Sequence, residues 1–240
     1  MLVDTMSYEE MALESNRIIE TYTEKARERF KPDKPEFKKL MRYMLKHKVL
    51  TYVIGKPVSY KISTTNTFYS VPLIPNYRSF KRLMRPVLIP FITYQNSHGM
   101  NVITRCVRPD ERMFILYFTS HFFARYIQRF SVTNVSKMEA IIKFMGGISA
   151  LMMLPFPTRK NPNNMIGLCN NVICFGEMMT SNIAIIRTCI RRDQLYESQT
   201  EVTDEIDKVL IEEAKRMEEI LNSYPKSPRQ ICNSITEPTM

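Results

Sequence analysis

The chain has 240 residues, 44% of them hydrophobic, which is enough apolar surface to fill a sizeable core. This composition excludes a disordered chain and a peptide-sized scaffold. The formal net charge is +10, from 34 basic and 24 acidic side chains, and it favours a polyanionic partner. The five cysteines form neither a CxxC pair nor a Cys/His cluster, so we expect free thiols and no metal site or cofactor.

The charge is distributed unevenly along the chain. Residues 1–30 hold 4 basic and 7 acidic side chains, and residues 194–240 hold 5 and 10. Residues 31–193 hold 25 basic and 7 acidic side chains, a net charge of +18. Either this basic middle binds a polyanion, or the acidic ends pack on it and neutralise it.

No segment predicts export or membrane insertion. The first residues carry Asp4, Glu9 and Glu14 instead of the basic start and apolar run of a secretory signal. The most apolar stretch, residues 140–156, contains Lys143 and falls short of the roughly 20 apolar residues that span a bilayer. We therefore expect a cytoplasmic protein without a membrane partner.

The N-terminal quarter predicts two helices and then short extended segments. Ser7 and Glu10 form a capping-box pattern that opens a helix over residues 8–30. Apolar residues recur at helical spacing over residues 37–47 and predict a second helix. Residues 49–62 predict a hairpin or two short strands, and the polar, proline-bounded residues 64–75 predict a loop.

The centre of the chain predicts an antiparallel meander followed by helices. Three strand-like runs are separated by clusters of turn residues, and then Thr119 or Ser120 caps a helix. A further helix is expected over residues 136–145 and a loop over residues 155–164. The strand-like runs are residues 87–94, 100–107 and 112–118.

Two more strands are expected over residues 166–175 and 183–190, with a turn over residues 176–182. The second is apolar on nearly every residue, as a central strand would be. Residues 203–221 predict an amphipathic helix that docks or forms a homodimer, and residues 225–240 a loose end.

These elements predict an α+β fold with a mostly antiparallel sheet packed on helices, and with amphipathic helices at the N- and C-terminal ends. We divide the chain into three segments within one structural domain: an N-terminal helical segment, a basic α+β core, and a C-terminal helix with its tail. These segments are residues 1–48, 49–195 and 196–240.

One helix carries residues suited to phosphate chemistry. At about 100° per residue, His121, Arg125 and Arg129 fall within an arc of about 80°, opposite a bulky aromatic face. Successive members are about 6 Å apart along the axis, close to the spacing of neighbouring phosphates on a single strand. The alternative is a basic helix face that is simply solvated.

A second basic run has apolar residues interleaved and is a phosphate-contacting turn, a membrane-surface segment or a solvated face. It consists of Arg78, Lys81, Arg82 and Arg85. No phosphate-loop, dinucleotide-binding or H-E-x-x-H motif is present. Carboxylates are too few in residues 31–193 for a two-metal nuclease.

The segment Thr119-Ser120-His121-Phe122-Phe123-Ala124-Arg125-Tyr126-Ile127-Gln128-Arg129 resembles the strand and S-H-A-x-x-R-x-x-x-R helix of nuclease domains of the barnase, EndoU, colicin and RelE type. The resemblance implies metal-independent RNA cleavage, with His121 as acid/base and Arg125 and Arg129 as phosphate clamps. It also implies Thr188 as a late-strand hydroxyl, and we expect the adjacent Arg187 to contact nucleic acid.

We therefore expect a nucleic-acid-binding protein, with RNA favoured over DNA as its partner. The sharper hypothesis is that it is a metal-independent ribonuclease. The alternative is a non-catalytic phage or mobile-element protein that acts as a nucleic-acid or protein interaction module.

Overall fold

The strands formed by the described residues assemble into one ten-stranded sheet. The structure is a computed structural model that describes residues 1–29, 52–53, 56–74, 87–107, 113–130, 135–148, 151–169 and 172–195, with isolated residues at 39, 42, 43, 46, 204, 208 and 212.

The described helices begin where the sequence predicts. In α1 (Tyr8–Arg29) the Ser7 and Glu10 side chains each accept a hydrogen bond from the other residue's backbone N–H. Thr119 caps α2 (Ser120–Arg129), and Ser136 forms a capping box at the start of α3 (Lys137–Gly147). None of these helices is both long and apolar enough to cross a bilayer.

The strands are numbered in chain order. Their bounds are β1 (Tyr52–Val53), β2 (Val58–Lys61), β3 (Asn66–Ile74), β4 (Val87–Asn96), β5 (Gly99–Val107), β6 (Met113–Phe118), β7 (Met152–Pro155), β8 (Asn164–Cys169), β9 (Val172–Thr180) and β10 (Ile183–Arg191). A short 3-10 turn, Arg192–Gln194, follows β10.

The sheet joins two antiparallel meanders through one parallel contact. Its order is β1-β3-β4-β5-β6-β10-β9-β8-β7, with β2 pairing beside β1 on the outer edge of β3. Only the β6–β10 pair is parallel among the described strands. The α+β fold with a mostly antiparallel sheet is therefore confirmed, and β10 is a central strand as predicted.

Helices cover both faces of the first meander, because successive residues of its strands direct apolar side chains to opposite faces. Phe91, Val102 and Leu116 face a cluster that contains α2 and α3. Their chain neighbours Ile92, Ile103 and Ile115 face a cluster that contains α1. The N-terminal helix thus packs on the same sheet as the basic core.

The loop predicted over residues 64–75 is wrong, because this stretch forms β3. Phe68, Val71 and Leu73 are fully buried, and their burial outweighs the proline within the strand. A proline lacks a backbone N–H and disfavours a strand that is paired on both sides. Pro72 is accommodated because it lies in the gap between the residues paired with β2 and those paired with β1.

The second meander also differs from prediction. The expected strand 166–175 is divided between β8 and β9, since Cys169 pairs with Val172. The expected turn 176–182 is mostly strand, because β9 continues to Thr180. Gly176 belongs inside a strand for a packing reason: a Cβ there would lie 2.3 Å from the Ile185 carbonyl oxygen. Strand β7 was not predicted.

Several predictions lie largely or wholly outside the described residues. They are the helices over residues 37–47 and 203–221, the homodimer contact through the latter, and the basic residues Arg78, Lys81, Arg82 and Arg85.

Replacing Gly176 tests this packing. We expect Gly176→Ala to lower the free energy of unfolding by about 1–3 kcal/mol, because the added methyl group displaces the β10 backbone. Urea denaturation measures the change. Ser181→Ala, at an exposed turn position between β9 and β10, is the control and should leave stability unchanged. Equal stability of the two variants would contradict the close approach.

Candidate nucleic-acid interface

Helix α2 occupies the place beside β10 where β6 ends. Strand β6 pairs with β10 only as far as Ile186, and the chain then turns into the helix. The Thr119 N–H donates to the Ile186 carbonyl at 3.1 Å, and the Thr119 hydroxyl donates to the Arg187 carbonyl at 3.5 Å. Near the other end of the helix, an Arg129 Nη1–H donates to the Cys189 carbonyl. The helix thus satisfies the carbonyls that β6 would otherwise meet.

The aromatic face of α2 fixes the orientation of the helix. Phe122, Phe123 and Tyr126 are buried against Phe144 of α3, with ring centroids 5.1–5.8 Å apart. Phe118, the last residue of β6, stacks edge-on against Phe122 at 5.0 Å. The predicted aromatic buried face is confirmed, and it leaves the opposite face of the helix to its polar residues.

The polar face joins two of the predicted site residues directly. The Arg125 Nε–H donates to Nε2 of His121 at 3.4 Å, and an Arg125 Nη1–H donates to the Gln128 side-chain oxygen at 3.0 Å. A guanidinium group can only donate, so Nε2 of His121 is the acceptor in this contact. His121 is exposed, whereas Arg125 and Arg129 are half-buried.

Arg125 and Arg129 of α2 differ from the arginines on the strands in the groups that they contact. Arg105 pairs with Glu20 of α1 at 3.4 Å, and Arg191 pairs with Asp193 at 2.6 Å. In the part of the chain that the structure describes, no carboxylate lies within 4.0 Å of the guanidinium of Arg125 or Arg129. Their partners are an imidazole nitrogen, an amide oxygen and a carbonyl oxygen, so no described carboxylate compensates the positive charge of either side chain.

Arg187, predicted to contact nucleic acid, is engaged within the protein. Its Nε donates to Glu177 on β9 at 2.7 Å, and a second guanidinium nitrogen donates to the same oxygen. The hydrogen bond from Arg187 lowers the pKa of Glu177, which also accepts one from Asn161 at 3.0 Å. The carboxylate therefore neutralises Arg187 at neutral pH.

Thr188 does not join the helix residues. The register of β10 against β9 shifts between Ile186 and Thr188. At this bulge Arg187 has no partner residue on β9 in the strand register. Beyond the bulge, Cys189 faces the cluster that contains α2, whereas Ile190 faces the opposite side of the sheet. Alternation places Thr188 on the side of Ile190, away from the aromatic face of the helix. None of its described hydrogen bonds reaches His121, Arg125 or Arg129.

The turn between β4 and β5 adds a second histidine to the start of α2. The Ser120 hydroxyl donates to the His98 carbonyl at 2.6 Å. Gly99 has a φ of +111°, and a Cβ on it would lie 3.2 Å from Ser120 Cβ and 3.9 Å from Lys137 Nζ. Partial burial lowers the pKa of Lys137. The His98 backbone and the Lys137 side chain, from separate elements, thus lie near Ser120, the residue before His121.

This neighbourhood was missed in the sequence, although the meander contains the signal for it. Val102 pairs with Phe118, so the turn before β5 and the end of β6 lie at the same edge of the sheet. In a meander of three antiparallel strands, the turn between the first and second strands lies beside the segment that follows the third strand. His98 could therefore have been placed near His121 from the predicted strands alone.

Asn101 connects this turn to the helix. Its side chain is 3% exposed and accepts from the Ser120 N–H at 2.9 Å. It also donates to the carbonyls of Tyr94 and Gly99 at 3.3 and 3.1 Å. No group of three His, Cys, Asp or Glu side chains suited to a metal ion occurs within the described ranges.

Replacing Asn101 tests this connection. We expect Asn101→Ala to lower the free energy of unfolding by about 1–3 kcal/mol, because three buried backbone groups lose their partner. Urea denaturation measures the loss. The exposed Gln95, six residues earlier, provides the control: Gln95→Ala should change stability by less than about 0.5 kcal/mol. Equal effects of the two substitutions would contradict a connecting role.

No protein-family model matches the chain, and neither curated proteins nor solved structures include a significant match to it. Conclusions about its function therefore depend on the side chains of α2 and their surroundings.

Proposed function

We propose that the protein binds single-stranded nucleic acid, with RNA as the favoured partner, along the polar face of α2. One observation carries the proposal: no described carboxylate pairs with Arg125 or Arg129, while the strand arginines Arg105, Arg187 and Arg191 pair with carboxylates. A cation that is oriented but not neutralised is prepared for an external anion.

The geometry of the helix favours a chain of phosphates over an isolated anion. Arg125 and Arg129 are one helical turn apart, about 6 Å along the axis, which is close to the phosphate spacing of an extended strand. Arg129 loses little side-chain entropy on binding, because its bond to the Cys189 carbonyl already restricts it. The preference for RNA rests on the resemblance of residues 119–129 to ribonuclease helices.

Removing the two charges should weaken binding and flatten its dependence on salt. For a single strand, each phosphate contact contributes about 0.7 to the slope of log affinity against log salt concentration. We expect Arg125→Gln to lower the slope by about 0.7, and Arg125→Gln combined with Arg129→Gln to lower it by about 1.4. Fluorescence anisotropy of a labelled 20-nucleotide RNA at several salt concentrations measures both quantities.

Two arginines serve as matched controls for this experiment. Arg17→Gln removes a charge on α1, and Arg187→Gln removes one that Glu177 neutralises. Both should leave the slope within error of the unchanged protein. A slope that falls equally in all variants would reflect net charge alone and would refute a specific interface on α2.

The arrangement of His121 favours ribonuclease activity as a second candidate function. Its Nε2 accepts from Arg125 and its side chain is exposed, so an imidazole at this position can serve as the base for a bound substrate. In metal-independent cleavage a base removes the ribose 2′-hydroxyl proton, and the oxygen attacks phosphorus. The P–O5′ bond breaks, leaving a 2′,3′-cyclic phosphate and a protonated 5′-hydroxyl. The arginines would stabilise the charge on the phosphorane. His98, whose backbone carbonyl accepts from Ser120 beside His121, is the second histidine to test as proton donor to the leaving oxygen.

His121→Gln separates cleavage from binding. Its side-chain oxygen can still accept from Arg125, so RNA affinity and salt slope should persist, while cleavage in EDTA should fall about 100-fold or more. Gel analysis of a labelled RNA measures the cleavage. His98→Gln tests the second proton transfer in the same assay. If the unchanged protein binds RNA without cutting it, the chain is a non-catalytic interaction module. If His121→Gln cuts at the original rate, His121 is not the base.

A further inference from the structure

A cavity opens at the C-terminal end of α2. Its volume is about 470 Å³, and the described residues that line it are Phe130, Arg191, Arg192 and Asp193. This volume falls within the roughly 300–1,000 Å³ range of small-molecule sites. Phe130 directly follows Arg129, so the cavity lies where the row formed by His121, Arg125 and Arg129 ends.

The walls of the cavity include an aromatic ring and a planar ion pair. The Phe130 ring packs against Tyr126, with centroids 5.1 Å apart and an interplanar angle of 31°, and it is half-buried. Arg191 and Asp193 form two parallel hydrogen bonds, Nε to Oδ1 at 3.0 Å and Nη2 to Oδ2 at 2.6 Å. Such a bidentate pair is planar, and guanidinium planes stack on nucleobases as aromatic rings do.

The described lining of the cavity holds two arginines and one aspartate, and Asp193 offsets the charge of Arg191 only. This ion pair therefore attracts anions less strongly than Arg125 and Arg129 do. A carboxylate oxygen is also an acceptor for the amino and imino hydrogens on the edge of a base. An aromatic ring, a planar ion pair and a hydrogen-bond acceptor together match a heteroaromatic ligand.

The position of the cavity connects it to the α2 interface. Arg129 is anchored on the carbonyl of Cys189, and Arg191 lies two residues further along β10 on the same face. One residue step in a strand is about 3.3 Å, so Arg191 lies about 7 Å along β10 from Cys189, whose carbonyl holds Arg129. That distance is about one nucleotide of an extended strand.

We propose that this cavity binds one unpaired nucleobase of the strand whose phosphates contact Arg125 and Arg129, stacked on Phe130 and on the Arg191–Asp193 pair. The inference rests on the proposed function. It adds a base-binding subsite to a backbone-binding helix and predicts that bases, as well as phosphates, contribute to affinity.

Phe130→Leu tests the energetic contribution of stacking. The substitution keeps an apolar side chain and changes no charge, so the salt slope should be unchanged. RNA affinity should fall by between about 5-fold and 150-fold, the range for loss of one stacked base. Circular dichroism verifies that the variant is folded. Unchanged affinity in the folded variant would overturn the inference, while a salt slope still dependent on Arg125 would leave the proposed function intact.

A fluorescent variant tests stacking directly. The chain contains no tryptophan, so Phe130→Trp introduces a single indole that a stacked base would quench. A 12-nucleotide RNA should quench its emission. An oligomer of the same length with a ribose-phosphate backbone and no bases should bind, by anisotropy competition, without quenching. Tyr8→Trp, at an exposed position on α1, is the control and should respond to neither ligand.

The outcomes separate the two proposals. If RNA binds but leaves Phe130→Trp emission unchanged, or if the base-free oligomer quenches equally, the cavity is not a base site and the backbone interface stands. If the unchanged protein binds no RNA at low salt, both proposals fall.

Discussion

The parallel contact between β6 and β10 is the constraint on which the rest of the structure depends. It joins two antiparallel meanders into one sheet, and β10 extends beyond it because β6 ends first. Strand β6 does not reach the carbonyls of Arg187 and Cys189, which need donors. Helix α2 supplies these donors through Thr119 and Arg129. The orientation of the basic helix is therefore a consequence of unequal strand lengths.

Local partners, more than net charge, determine which cations are open to a ligand. Glu20 of the acidic N-terminal segment pairs with Arg105 and offsets part of the net charge on residues 31–193, whereas Glu177, which pairs with Arg187, is already included in that net charge. Both hypotheses for the basic middle are therefore partly relevant: α1 contributes an acid, and α2 keeps its arginines free of carboxylates within the described residues. A charge count cannot separate these cases, because it contains no information about which side chains meet.

Much of the fold could be predicted because its signals are local. The caps at Ser7, Thr119 and Ser136 and the apolar period of the first meander act over a few residues. The failures involve contacts between distant residues. Pro72 is tolerated only because the neighbouring strand is interrupted, and Gly176 is required by the Ile185 carbonyl. Likewise, His121, Arg125 and Arg129 follow from helical period, whereas the face occupied by Thr188 depends on a bulge at Arg187.

The hydrogen bond from Arg129 to the Cys189 carbonyl also places the interface late in folding. Sixty residues separate the two partners along the chain, and α3 and the strands β7, β8 and β9 lie between them in sequence. Contacts of such sequence separation form slowly, because loop-closure entropy is lost before they add stability. During synthesis, the ribosome releases α2 well before β10, so the helix emerges with an unanchored arginine. Pairing of β10 is then the step that gives Arg129 its anchor and completes the polar face of α2.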